Sequence, residues 1–131
     1  MNELRRNEIT VDGIVFETDG ISFEYSQLDG DNAGRSDDGG MTRDVLGMTN
    51  KVYCLFNSRD KWYGQQLSAL LKLTEKTECT LNYFDPKEYS RITKDMYVVS
   101  DKCECTLIDD ETYLKNDVEI RFIQMDVDDL W

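Results

Sequence analysis

A β-rich domain with a single helix is the fold class this sequence predicts, and three observations predict it. Apolar and polar residues alternate over most of the chain, two Asp-Gly dipeptides punctuate the first such runs, and only one stretch repeats its apolar residues at helical spacing. With 131 residues, 40% hydrophobic and 32% charged, the chain suits one domain that buries roughly two thirds of its unfolded surface. A lone proline and this apolar fraction argue against disorder.

In chain order, residues 1–8 are polar and charged and are expected to be a flexible N-terminus. Ile9, Val11, Ile14 and Phe16 surround Asp12-Gly13, and Ile21, Phe23 and Tyr25 follow Asp19-Gly20, so a small meander or a pair of hairpins should open the domain. Residues 27–44, QLDGDNAGRSDDGGMTRD, are too polar to bury and too glycine-rich for a regular element, and are expected to form a long acidic loop. Such loops are where function concentrates.

Lys51 to Phe56 is apolar on both faces, as a central strand would be. Asn57-Ser58 offers an N-cap for a helix from about Asp60 to about Glu75, whose Tyr63, Leu67, Leu70, Leu71 and Thr74 recur at helical spacing. Four further strands are expected at Cys79–Phe84, Ile92–Val99, Cys103–Ile108 and Val118–Met125. The domain thus runs from 9 to 125, and residues 126–131 form a short acidic tail.

The formal net charge of -12 repels a nucleic-acid backbone and an anionic membrane, so neither is an expected partner. A DNA-mimicking inhibitor and a protein lining a passage for DNA both remain compatible with it. No run approaches the ~20 consecutive apolar residues of a membrane-crossing helix. The Met1-Asn2-Glu3 start lacks a secretory pattern, and Cys54, Cys79, Cys103 and Cys105 are expected to be reduced in a cytoplasm.

Candidate chemistry is thin. Asp29, Asp31, Asp37 and Asp38 suggest a calcium loop, but an EF-hand register from Asp29 puts Ala33 at position five and Gly40 where the bidentate Glu belongs. Cys103 and Cys105 could share a strand face and join Cys54 and Cys79 around zinc, yet the spacing is that of neither a finger nor a ribbon, and small core residues are the simpler reading. The chain contains no histidine, which removes the usual nucleophile–base pairs. Neither glycine-rich nucleotide-binding spacing is present. No catalytic residue, metal or cofactor is therefore expected. Tyr63, Tyr83, Tyr89, Tyr97, Trp62 and Phe84 are read as core and interface aromatics, and Arg35 and Arg43 as arginines suited to bidentate pairing with carboxylates or to simple exposure.

The segment AGRSDDGGMTRD, the helix LSALLKL, then TLNYFDP, DMYVVSDK and VEIRFIQM follow one another in an order that resembles a family of small phage and prophage tail-module proteins. The matching positions are Gly34, Arg35, Gly39 or Gly40, Met41, Arg43 and Asp44, then Phe84-Asp85, then Tyr97-Val98 with Asp101, across residues 9–125. Val99-Ser100 departs from the family's glycine before Asp101. The resemblance implies a tail-tube-like fold, a β-sandwich or half-open barrel flanked by one helix. It also implies a non-enzymatic structural protein of the virion tail, made in the bacterial host cytoplasm. Its partners would be copies of itself, in a hexameric ring, and other tail or baseplate proteins. Gly34, Arg35, Gly40, Met41, Arg43 and Asp44 would serve as an assembly loop. The competing expectation is a small acidic DNA mimic that occupies a host DNA-binding protein.

Overall fold

The computed structural model describes residues 4–29, 34–35, 41–42, 45–58 and 61–125. In chain order these form β1 (Glu8–Val11), β2 (Ile14–Glu17), β3 (Gly20–Asp29), β4 (Gly34–Arg35), β5 (Met41–Thr42), β6 (Val45–Phe56), α1 (Gly64–Thr74), β7 (Glu78–Asp85), β8 (Ser90–Ser100), β9 (Cys105–Ile108), β10 (Glu111–Leu114) and β11 (Val118–Gln124). The main sheet is antiparallel and seven-stranded, in the order β2-β1-β7-β8-β11-β6-β3. The pairs β4–β5 and β9–β10 stand apart from it.

Chain connectivity decides between sandwich and barrel. The outermost strands, β2 and β3, are joined only by Thr18 and Asp19. A flat seven-stranded sheet would hold its edges about 29 Å apart at ~4.8 Å per neighbour. Two linking residues reach only about 11 Å. The sheet must therefore curl until its ends meet. The linker closes the corner from both sides: the Thr18 N–H donates to the Asn7 carbonyl beside β1 (2.9 Å), and the Asp19 N–H to the Leu55 carbonyl of β6 (2.8 Å). Contacts across the interior agree, with Phe23 of β3 stacked on Tyr83 of β7 at 6.0 Å. Because β2 and β3 do not pair, the barrel is half-open. Asp19-Gly20 thus departs from the expected meander: it is a crossing between the two edges, whereas Asp12-Gly13 is a true hairpin turn with both φ values positive (50° and 86°).

Period-two alternation fills the interior with Ile9, Val11, Val52, Cys54, Phe56, Leu81, Tyr83, Met96, Ile120 and Phe122, all at most 1% exposed. Helix α1 adds Leu67, Leu70 and Leu73, spaced three apart on one face. Trp62, just before the helix, meets Phe56 edge-on at 5.2 Å. Strand β6 is shielded on one face only: Tyr53 is half-buried and Leu55 exposed on the outer wall, where the sequence suggests burial on both.

The helix starts later than its pattern suggests, at Gly64, with Tyr63 as an N-cap that makes no side-chain cap bond. The expected capping residues are claimed elsewhere. The Asn57 N–H donates to Asp19 (2.8 Å), and both the N–H and hydroxyl of Ser58 donate to Asp117 (2.7 and 3.0 Å). Asp60 lies outside the described residues. The expected strand from Cys103 begins instead at Cys105, and it pairs outside the barrel with β10, a strand the sequence reading missed.

Candidate assembly surfaces

Strand β11 makes its last pair with β6 at Ile123↔Lys51, whereas β3 and β6 stay paired from Gly20↔Leu55 to Asp29↔Val45. From Asn50 to Val45, β6 has only β3 as a strand neighbour among the described residues, so the two strands leave the barrel as an arm with an irregularity at Leu28/Asp29. The sequence-predicted loop therefore begins within strand: β3 continues past Gln27 to Asp29. Of the six assembly-loop candidates, Gly34, Arg35 and Met41 are brought into register, with Gly34 opposite Thr42 and Arg35 opposite Met41. Gly40, Arg43 and Asp44 lie outside the described residues, as do Asp31, Asp37 and Asp38 of the calcium reading.

The root of the arm is held by a pair that no sequence spacing reveals. Asp85 is fully buried at the end of β7 and accepts a hydrogen bond from the Tyr25 hydroxyl of β3, while the Lys87 N–H approaches the same oxygen at 3.4 Å. Burial, then the neighbouring carboxylate, pushes the Tyr25 phenol up and keeps it a donor. Asp85 belongs to the Phe84-Asp85 pair that carried the family resemblance, and its geometry shows a structural role: it ties β7 to the arm. Tyr97 and Val98, also in that pattern, split between the exposed outer wall and the core. Asp101 pairs with Arg121 at 3.3 Å.

The closing corner has its own hub. Asp19 accepts from Lys61 Nζ (2.9 Å), the Asn57 N–H (2.8 Å) and the Trp62 indole (3.2 Å). Burial raises its carboxyl pKa, but these donors outweigh burial and leave it below the ordinary value of 3.8. At the β1–β2 turn, Asp12 is also held below 3.8, chiefly by Lys76 at 2.8 Å and then by the Thr80 N–H.

Near the N-terminus, the Arg6 guanidinium lies over the Phe84 and Tyr89 rings, 4.3 and 4.7 Å from their centroids, beside a recess of about 410 Å³ that Arg91 also lines. Of the aromatics read as core or interface, Trp62 and Tyr83 are buried, Phe84 is half-buried, and Tyr63, Tyr89 and Tyr97 are exposed.

The cysteines do not converge. Cys54 and Cys79 are buried, Cys103 is half-buried and Cys105 is exposed. Desolvation pushes the Cys54 thiol up, and the Cys79 thiol up to about 12, so neither supplies a thiolate near neutral pH. Among the described residues no three His, Cys, Asp or Glu side chains are grouped to hold a metal, and no helix is long and apolar enough to cross a membrane.

The architecture is thus a half-open antiparallel barrel with one helix, a projecting arm and an outer hairpin. No protein-family model matches the sequence, and no curated protein matches it. In three dimensions the chain is similar to a chain in the tail of an empty gene transfer agent particle, obtained by helical refinement with C6 symmetry: 10% identity, 97% of this chain and 96% of that one covered, TM-score 0.53. It is also similar to a chain in the virion of a native gene transfer agent particle: 9% identity, 96% of each chain covered, TM-score 0.51. At these identities the shared property is the fold, which spans both chains almost end to end.

Proposed function

We propose that this chain is a structural subunit of a phage or phage-like tail, working by assembly with copies of itself and other tail proteins and not by catalysis. The observation that carries the reading is the nearly complete, two-way match to a chain from a tail with six-fold symmetry. A closed ring of six copies, in the tube or near the baseplate, follows from that symmetry as a proposal. Three features support it. Among the described residues both β2 and β3 end the sheet with an unpaired edge, which a ring neighbour can cover. The β3–β6 arm leads into the segment that holds the Gly34–Arg35 and Met41–Thr42 pair, and the proposal gives that segment the contact with an adjacent subunit. The charge of -12 lets DNA pass a lumen without being trapped.

The DNA-mimic alternative gains nothing from the geometry. Several carboxylates stand in ion pairs, Asp12 with Lys76, Asp19 with Lys61, Glu24 with Lys51 and Asp101 with Arg121, and so are not arrayed as a bare anionic face. Light scattering across a concentration series, with negative-stain microscopy of the most concentrated sample, tests the reading. Rings or stacked tubes are expected. A monomer at every concentration that binds a nuclease and releases it at high salt would sink the tail reading.

A further inference from the structure

We infer that the tip of the β9–β10 hairpin of one copy docks into the groove between β2 and α1 of a second copy; this deepens the ring reading and rests on it. The hairpin is anchored at its root, where Leu114 is buried and donates its N–H to the Trp62 carbonyl at 3.0 Å, and where Tyr113 faces Tyr63 with ring centroids 6.0 Å apart. Its tip has no such cover. Leu107 and Ile108 are 67% and 55% exposed, and as neighbours on a strand they present apolar surface on both faces. Asp109, Asp110 and Glu111 follow immediately, so the apolar tip carries an acidic rim.

The groove has the reverse pattern. Among the described residues β2 pairs only with β1, and the strand borders a recess of about 300 Å³ shared with the helix. Ile14, Phe16 and Ala69 supply apolar surface, with Ile14 52% exposed. The charged residues lining this end of the groove are Lys72 and Lys76, whereas Glu8 and Glu17 line its other end toward Lys61, so an acidic rim is received at the Lys72 end. Lys76 is held by Asp12, whereas Lys72 has no ion pair among the described residues, which leaves its charge for an incoming acidic rim. An apolar knob with an acidic rim and an apolar groove end with a basic residue to spare, on one chain, are complementary in apolar character and charge.

Their placement makes them separate patches. The hairpin meets the helix on the side of Gly64, where an added Cβ would lie 2.9 Å from Glu111 Oε1. The groove lies on the side of Ala69. None of the hairpin's residues lines that recess, so the two patches do not overlap. Knob and groove are different patches, so their contact is heterologous, and under the six-fold symmetry of the ring reading its repetition closes a ring.

Two variants of the full chain test this by sedimentation velocity, each first shown to melt like the parent. Leu107→Ser with Ile108→Ser removes the knob, and Ile14→Asp with Lys72→Glu removes the groove. Each alone is expected to weaken self-association by about 30-fold, the scale of a central anchor. Mixed, they are expected to form a dimer that grows no further, because one intact knob meets one intact groove. Variants that assemble like the parent, or a mixture that stays monomeric, would overturn the contact. If the parent forms rings that neither variant disturbs, this contact fails and the ring reading stands. If the variants weaken a parent assembly that microscopy shows as filaments or closed dimers, the contact stands and the ring fails. A parent that stays monomeric at every concentration overturns both.

Discussion

The two ends of the barrel interior are built on different chemistry. Beside the helix, Phe16, Phe56 and Trp62 meet edge-on, with centroid distances of 6.5 and 5.2 Å, and Leu67, Leu70 and Leu73 are at most 1% exposed. Toward the arm the buried residues include Asn50, Asp85 and Gln124, with Gln124 Oε1 accepting the Asn50 N–H at 3.2 Å and Asp85 accepting from Tyr25. Asn50 Oδ1 and Asp85 Oδ2 have no hydrogen-bond donor among the described residues. Apolar burial gives stability without direction, whereas hydrogen bonds give direction with a small net gain and a cost for every group left unpaired. The helix end therefore holds the fold together, and the arm end sets where β3 and β6 leave the barrel.

The sharpest way to break that contrast is to compare truncations at the two ends by urea unfolding. Leu70→Ala is expected to cost about 2–5 kcal/mol, the range for a buried leucine that leaves a cavity. Asp19→Ala, which removes three donors' common acceptor at the closing corner, should cost on the order of 2–3 kcal/mol. Tyr25→Phe should cost only about 1–2 kcal/mol globally. Its signature is local: amide hydrogen exchange should quicken in β3 and β6 beyond Asn50 and stay slow in β11. If Tyr25→Phe matched Leu70→Ala, or loosened both ends alike, the division between holding and directing would be wrong.

The smallest expected effect is on pH dependence. Asp12 and Asp19 both sit below the ordinary carboxyl value of 3.8 when folded. The unfolded chain therefore binds more protons in that region. Their contribution is complete above the ordinary value and is lost as pH falls through it toward the depressed folded values. Melting curves at neutral pH and near about pH 3 should show this loss, and Asp12→Asn with Asp19→Asn should flatten the difference. An unchanged pH profile in that variant would remove both carboxylates from the account of acid stability.

Local signals are legible where the structure depends only on neighbours in the chain. Alternation located β1, β2, β7, β8 and β11 to within a residue or two, and Asp12-Gly13 marked a hairpin because its positive φ values suit those residue types. Segments whose groups are claimed by distant partners are less legible. Asn57 and Ser58 look like helix caps until Asp19 and Asp117 take their donors. Strand β10 stayed hidden because its pattern is weak and its burial comes from Trp62 and Tyr63, about fifty residues earlier. Residues 27–44 stand out in composition and motif, but the β4–β5 pairing within them does not, since register between two strands is a tertiary property.

By itself, then, the sequence determined a β-rich chain with one amphipathic helix, an acidic surface, an early hairpin and a polar segment between the first strands and the core. Each of these follows from side-chain periodicity, charge or local φ preference, which act over a few residues. Only the tertiary structure decided that β2 and β3 are opposite edges and not partners, that the sheet curls to bring them together, and that Tyr25 meets Asp85 sixty residues away. Strand alternation is the same whichever neighbour a strand chooses. The choice is made by the joint burial of all seven strands and the helix around one core, a condition on the whole chain that no local window contains.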